Sequence, residues 1–269
     1  MHKRFKILIF AAALLILFGG AGSLLTVQSG IGNESGMETK RVDADSVHSI
    51  NIQAVNGKIN TVRSEDAKQA TVEWSGPVKG DGDRLSVGKN NGELSVRLES
   101  NPFKLFSFGF DFFNKNELTV SLPEKSYDSL HVKSNNGKIV ANQLEARDVT
   151  IQTDNGQVDL NHLTTDQINV GMDNGQLLMK DISGNVTGRT DNGEIRLTTS
   201  DLDRDIDLTT NNGRIIVQTD KRPSNALLDA HTDNGIVSLF GRENRKTVYG
   251  DADHHVKLTT NNGMITVKE

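Results

Sequence analysis

The chain has 269 residues, of which 35% are hydrophobic, 24% charged and only 5% aromatic, and its net charge is −5. Cysteine is absent, which excludes disulfides, a thiol nucleophile and a lipid-modified cysteine, and with the last a lipoprotein. The acidic balance opposes nucleic-acid binding and simple attraction to anionic lipid, and 25 Gly against 4 Pro exclude a collagen-like or Pro-rich chain.

The N-terminus carries an address. Lys3, Arg4 and Lys6 precede an uncharged stretch from Ile7 to Val27, long enough to cross a bilayer as a helix. Residues 1–27 are therefore predicted to be a cytoplasmic basic flank and a single-pass transmembrane anchor, with the remainder outside the cell. The alternative is a signal peptide cleaved near Gly20-Ala21-Gly22, which would release a secreted protein. Setting aside the three basic residues takes the net charge from −5 to −8 for the outward part, which favours solubility and divalent or basic partners. Residues 28–41, rich in Gly, Ser and Asn at their start, read as a flexible linker.

Residues 42–269 read as one elongated extracytoplasmic domain. Its first part, 42–129, is irregular. Ile50, Ile52, Ala54, Asn56-Gly57, Ile59 and Val62 form one weak repeat. Leu85, Val87, Asn90-Asn91-Gly92, Leu94, Val96 and Leu98 form another, with a short strand at Val72 and Trp74 between them. Terminal units of repeat proteins are often atypical because they cap the open end.

From residue 130 a tripeptide recurs, Asx-Asn-Gly, followed by one residue and then an aliphatic. Its Asn-Gly pairs are Asn136-Gly137, Asn155-Gly156, Asn174-Gly175, Asn192-Gly193, Asn212-Gly213, Asn234-Gly235 and Asn262-Gly263. The first five of these glycines are 19, 19, 18 and 20 residues apart, the signature of one structural unit stacked repeatedly. Within a unit, Val149, Ile151 and Thr153 alternate with polar residues, then Val158 and Leu160 do so again, the period of half-buried strands. Asn and Gly tolerate positive φ, and the leading Asx can bond the backbone two residues on, so these positions are read as structural turns.

Asn-Gly between alternating runs is also a strong hairpin signal. In a meander of hairpins Thr153 would face Val158 and Ile151 would face Leu160. A solenoid is favoured by a third apolar position in each unit, at Leu144, Leu163, Ile182 and Leu202, which suits a three-sided coil. A repeat of about 19 residues also gives a path of roughly 60 Å, enough for one small coil. The fold class is thus all-β: a β-solenoid of ~19-residue repeats, read as a right-handed β-helix because parallel crossovers are right-handed by default, following a transmembrane helix. The chain stops two residues after Val267, so an open edge guarded by Lys268 and Glu269 is expected.

Phe103, Phe106, Phe108, Phe110, Phe112 and Phe113 are six of the ten Phe in the chain. Four of them alternate with Ser107, Gly109 and Asp111, so one strand face would be all Phe. This insertion is read either as a cap burying the coil end or as a contact surface for membrane or a partner protein. Asp154, Asp173, Asp191 and Asp233 would stack along one corner. Asn stands at the equivalent positions 135, 211 and 261, as turn capping permits and a charged metal-ligand set would not. His254-His255 would point to opposite strand faces. No catalytic residues, metal ligands or cofactor-binding residues are assigned, and the chain is not expected to be an enzyme.

The anchor and the recurrent Asx-Asn-Gly-x-[Ile/Val] units resemble the bacterial "putative adhesin" family of β-solenoid envelope proteins, most of all its LiaG-type members, over residues 42–269. The resemblance implies a membrane-anchored binding or scaffold protein in the setting of cell-envelope stress, with an envelope protein or wall polymer as partner and no nucleic acid or cofactor. It carries over no site residues, and the Phe-rich insertion has no counterpart in its pattern. A carbohydrate-active enzyme on a β-helix and a passive spacer are the competing readings.

Overall fold

A computed structural model describes residues 25–26, 35–77, 84–99 and 116–269. Its strands are β1 (Leu25–Thr26), β2 (Ser35–Asp43), β3 (Ser49–Arg63), β4 (Gln69–Pro77), β5 (Arg84–Asn90), β6 (Glu93–Glu99), β7 (Glu117–Leu122), β8 (Ser126–Thr164), β9 (Gln167–Ile182), β10 (Asn185–Thr199), β11 (Ile206–Thr219), β12 (Ala226–Leu239), β13 (Lys246–Val248) and β14 (His254–Lys268). All belong to one sheet, and no helix occurs among the described residues. Of the predicted membrane span only Leu25–Thr26 is described, as β1, paired antiparallel with β2; the rest lies outside the described residues. Among the described residues no helix is long and apolar enough to cross a membrane.

The repeats stack in parallel and in register. Ile151 pairs with Val170, Asn155 with Asn174, Gly156 with Gly175 and Val158 with Leu177, and the same correspondence continues into β10 and β11. The two limbs flanking each Asn-Gly therefore pair with neighbouring repeats and not with each other. This excludes the hairpin meander. Alternation along each limb sends every second side chain inward, so columns form. One runs Ile59, Ile139, Val158, Leu177, Ile195, Ile215, Ile265 and Val237, all buried. The third apolar positions Leu144, Leu163, Ile182 and Leu202 are buried as well. Just before the first three of them, Gln143, His162 and Asp181 take positive φ of 55°, 53° and 51°. Each of these repeats thus bends twice, which produces three sides.

The weak unit around Asn56-Gly57 is a full rung. β3 pairs residue by residue with the first half of β8, from Ser49↔Ser129 through Gly57↔Gly137 to Val62↔Asn142. The intervening chain turns back to cover the other edge of β3. There β6 pairs with its first limb and β7 with its second, and β5, β4 and β2 add antiparallel wings. The wings are tied together: Lys40 Nζ donates to Leu85 O at 2.6 Å and Lys89 Nζ to Asp43 O at 2.9 Å.

Three expectations are corrected here. The linker ends earlier than residue 41, because Ser35 to Asp43 pair with Pro77 to Gln69 of β4; the alternating polar residues of β2 serve as an edge strand. Asn91-Gly92 is no rung corner. Asn90 pairs with Glu93 across a two-residue turn with φ of 47° and 77° at Asn91 and Gly92, the left-handed pair of a type I′ hairpin. The chain's last strand is no open edge either. β14 lies between β11 and β12, paired in parallel with both, and Glu269 meets Arg222 at 3.1 Å. The stack ends on β12, whose first limb is covered by β13 over Leu227–Asp229.

Candidate contact surface

At each corner the asparagine side chain leaves the backbone toward its counterpart one rung away. Parallel, in-register stacking places identical groups one strand spacing apart, about 4.8 Å, the distance an amide can bridge. Asn136 Nδ2 donates to Asn56 Oδ1 at 2.7 Å, and Asn155 to Asn136, Asn174 to Asn155, Asn192 to Asn174 and Asn212 to Asn192, each at 2.9 Å. Asn262 then donates to Asn212 at 2.9 Å and Asn234 to Asn262 at 3.0 Å. All seven bonds point toward β3, so the amide dipoles align and polarise one another.

The following glycines form a second column. A Cβ on Gly137, Gly156, Gly175, Gly193, Gly213, Gly263 or Gly235 would collide with the carbonyl oxygen of the glycine one rung away. Gly175 also has φ +131°, closed to L side chains. Outside the ladder lies an exposed row of Asn135, Asp154, Asp173, Asp191, Asn211, Asn261 and Asp233. Asn211 Nδ2 reaches Asp191 Oδ1 at 2.9 Å. Among the described residues no three His, Cys, Asp or Glu are grouped to hold a metal ion.

Asn116 closes the ladder at its β3 end. Its carbonyl accepts Lys58 N–H at 2.8 Å, its Nδ2 donates to Asn56 O at 3.2 Å, and its Oδ1 accepts the indole N–H of Trp74 at 2.6 Å. Phe103, Phe106, Phe108, Phe110, Phe112 and Phe113 lie outside the described residues. The segment that contains them joins the end of β6 at Glu99 to Asn116, where an ordinary rung has its Asn-Gly corner.

Two features had no signal in local sequence. Glu194, buried although its column faces outward, accepts Arg196 Nη2 at 2.7 Å and is also bound by Arg214 Nε. Burial raises its pKa, but the hydrogen bonds from Arg196 and Arg214 outweigh this and hold the carboxyl below the ordinary glutamate value. Tyr127 donates to Pro123 O at 2.9 Å, and burial pushes its pKa up to about 12. Beside it a shallow groove of about 220 Å3 is lined by Arg63, Lys125, Gln143, Glu145 and His162 among others. At the β12 end, Ile236 and Met264 are register partners on the outer face and are 62% and 39% exposed, a small apolar spot on a polar wall.

These elements define a class: a parallel β-solenoid with an amide-ladder corner and an antiparallel cap. The Toastrack DUF4097 family matches residues 47–184, just over half of the sequence, and the chain belongs to that family. No curated protein matches it. Among solved structures, a "putative cell adhesion protein" from Clostridium sporogenes is similar at 16% identity, covering 87% of this chain and 99% of that one with a TM-score of 0.37. A "putative adhesin" from Bacteroides fragilis is similar at 14% identity, covering 86% and 96% with a TM-score of 0.46. A "putative lipid binding protein" from Parabacteroides distasonis is similar at 12% identity, covering 90% and 100% with a TM-score of 0.39.

Proposed function

We propose that the chain is a single-pass membrane protein whose outward solenoid acts by binding or scaffolding at the bacterial cell envelope, in the stress-response setting of the LiaG-type members it resembles. The observation that carries the reading is where the two apolar segments leave the fold. β1, which lies within the uncharged stretch from Ile7 to Val27, pairs with β2, and β2 lies on the capped side of β3. β6 and Asn116, which flank the Phe-rich segment, lie on that same side. An anchor and a second apolar segment at one end would hold the capped end at the lipid surface and project the ladder corner away from it. The exposed Asx row would then meet a wall polymer or envelope protein.

We read the scaffold as a binding module and not an enzyme. The turn-leading acids Asp154, Asp173, Asp191 and Asp233 follow the repeat, and Glu194, buried outside that row, is held between two arginines.

The test is co-sedimentation of residues 35–269 with isolated envelopes separated into wall and membrane fractions, for wild type and for Phe106→Ser/Phe108→Ser. Circular dichroism confirms that both are folded. Retention on the membrane fraction, lost in the variant, is the expected result. Wild type absent from both fractions overturns the contact surface. Protease added to protoplasts that carry the full chain should digest the solenoid and spare the N-terminus.

A further inference from the structure

Asn-Gly is the most labile dipeptide of a polypeptide toward loss of ammonia, because glycine leaves its own nitrogen unhindered. This chain contains nine, at Asn56, Asn91, Asn136, Asn155, Asn174, Asn192, Asn212, Asn234 and Asn262. Eight stand in the amide ladder. Six of those eight both donate Nδ2 and accept at Oδ1; Asn56 accepts and Asn234 donates. A side-chain amide held at both ends cannot rotate its Cγ toward the following backbone nitrogen without breaking two bonds. Asn91 is different. It sits exposed at the tip of the β5–β6 hairpin with φ +47°, and among the described residues its side chain makes no hydrogen bond.

We propose that Asn91-Gly92 is the deamidation site of the folded protein and that the ladder shields the other eight. The Gly92 backbone nitrogen, giving its proton to hydroxide, attacks Cγ of Asn91. The Cγ–Nδ2 bond breaks and Nδ2 leaves as ammonia with a proton from water. The resulting succinimide takes up one water at either carbonyl and opens to aspartate or isoaspartate. Either product places a new carboxylate on the hairpin, and isoaspartate also lengthens the backbone by one methylene. The Gly92 carbonyl accepts His48 N–H at 2.9 Å and Ser49 N–H at 3.1 Å, so the change lands where the cap grips the first rung.

The full chain in detergent is aged in mildly alkaline buffer and mapped peptide by peptide by mass spectrometry, with isoaspartate scored separately. The Asn91 peptide is expected to convert at least about tenfold faster than peptides from the ladder interior, since each of those must first lose two ordinary hydrogen bonds. Asn234, bonded once, falls between. In denaturant the nine sites should convert at comparable rates. In Asn174→Ala, the bereft neighbours Asn155 and Asn192 should speed up in the native protein. Interior ladder sites converting as fast as Asn91 in the native chain, or Asn91 converting as slowly as they do, would overturn the proposal.

Discussion

Trp74 and Asn116, 42 residues apart, are joined by an indole N–H donating to an amide oxygen at 2.6 Å, and both are buried. This bond fastens the antiparallel cap to the end of the parallel stack. Asn116 bonds at once to the cap through Trp74 and to the first rung through Asn56 and Lys58. Removing its side chain in Asn116→Ala leaves a buried donor without its acceptor, at a cost of about 1–3 kcal/mol. Trp74 is the chain's one tryptophan, so its fluorescence reports the cap alone. In Asn116→Ala the fluorescence midpoint should fall below the midpoint read by far-ultraviolet circular dichroism. Coincident, unshifted midpoints would show that the joint carries no stability.

Two glycines in one strand make opposite predictions. Ala at Gly175 would drive its Cβ into the Gly156 carbonyl at a φ of +131°, and should cost about 3 kcal/mol or more. At Gly171, nothing lies within 4 Å of a Cβ. There Ala only restricts the unfolded chain, so the change should be neutral or stabilising by about 0.5–1 kcal/mol. Chemical denaturation of the two variants checks the sign of the difference.

Acid should weaken the clamp on Glu194. Its folded pKa lies below the ordinary 4.5, so its stabilisation is full above that value and is lost as pH falls through the folded one. Glu194→Gln should be less stable than wild type at neutral pH, by about 1–2 kcal/mol given that Arg196 and Arg214 are half exposed. The two proteins should converge below the folded pKa. Thermal melts across that range decide it; a gap that persists unchanged into strong acid would place the cost in packing.

A chain beginning at Val42 lacks most of β2 and bares the edge of β4. Compared with a chain beginning at Ser35, it should melt lower and self-associate, since an unprotected edge strand is a template for pairing. Light scattering at matched concentration would expose the difference, and equal behaviour would show that β2 is dispensable.

Much of the stack was readable from residues such as Val149, Ile151, Val158 and Leu160, because strand alternation and a fixed period are local properties. The Asn-Gly pairs were readable as the recurring mark of each unit; that their asparagines would join hands along the axis follows only once parallel register is known. Asn91-Gly92 shows the limit. The same dipeptide makes a hairpin there and a solenoid corner at Asn155-Gly156. The choice rests on whether its flanks pair with each other, as Asn90 and Glu93 do, or with another rung. Asn116 and Trp74 meet across 42 residues with no periodic signal to announce them. Rung order was equally hidden, because Thr210, Thr260 and Thr232 occupy equivalent places and any of these rungs could follow any other.

The placement of β14 between β11 and β12 has a bearing on how the molecule is made. Both walls of its slot precede it in sequence, so a ribosome delivers them first. While residues 254–268 are still in the exit tunnel, β12 can only wait at a distance or rest temporarily on β11, whose inward residues match its own. The stack is therefore closed from within by a late-arriving segment, like a wedge driven into a finished arch, and synthesis must be nearly complete before this end of the protein can settle.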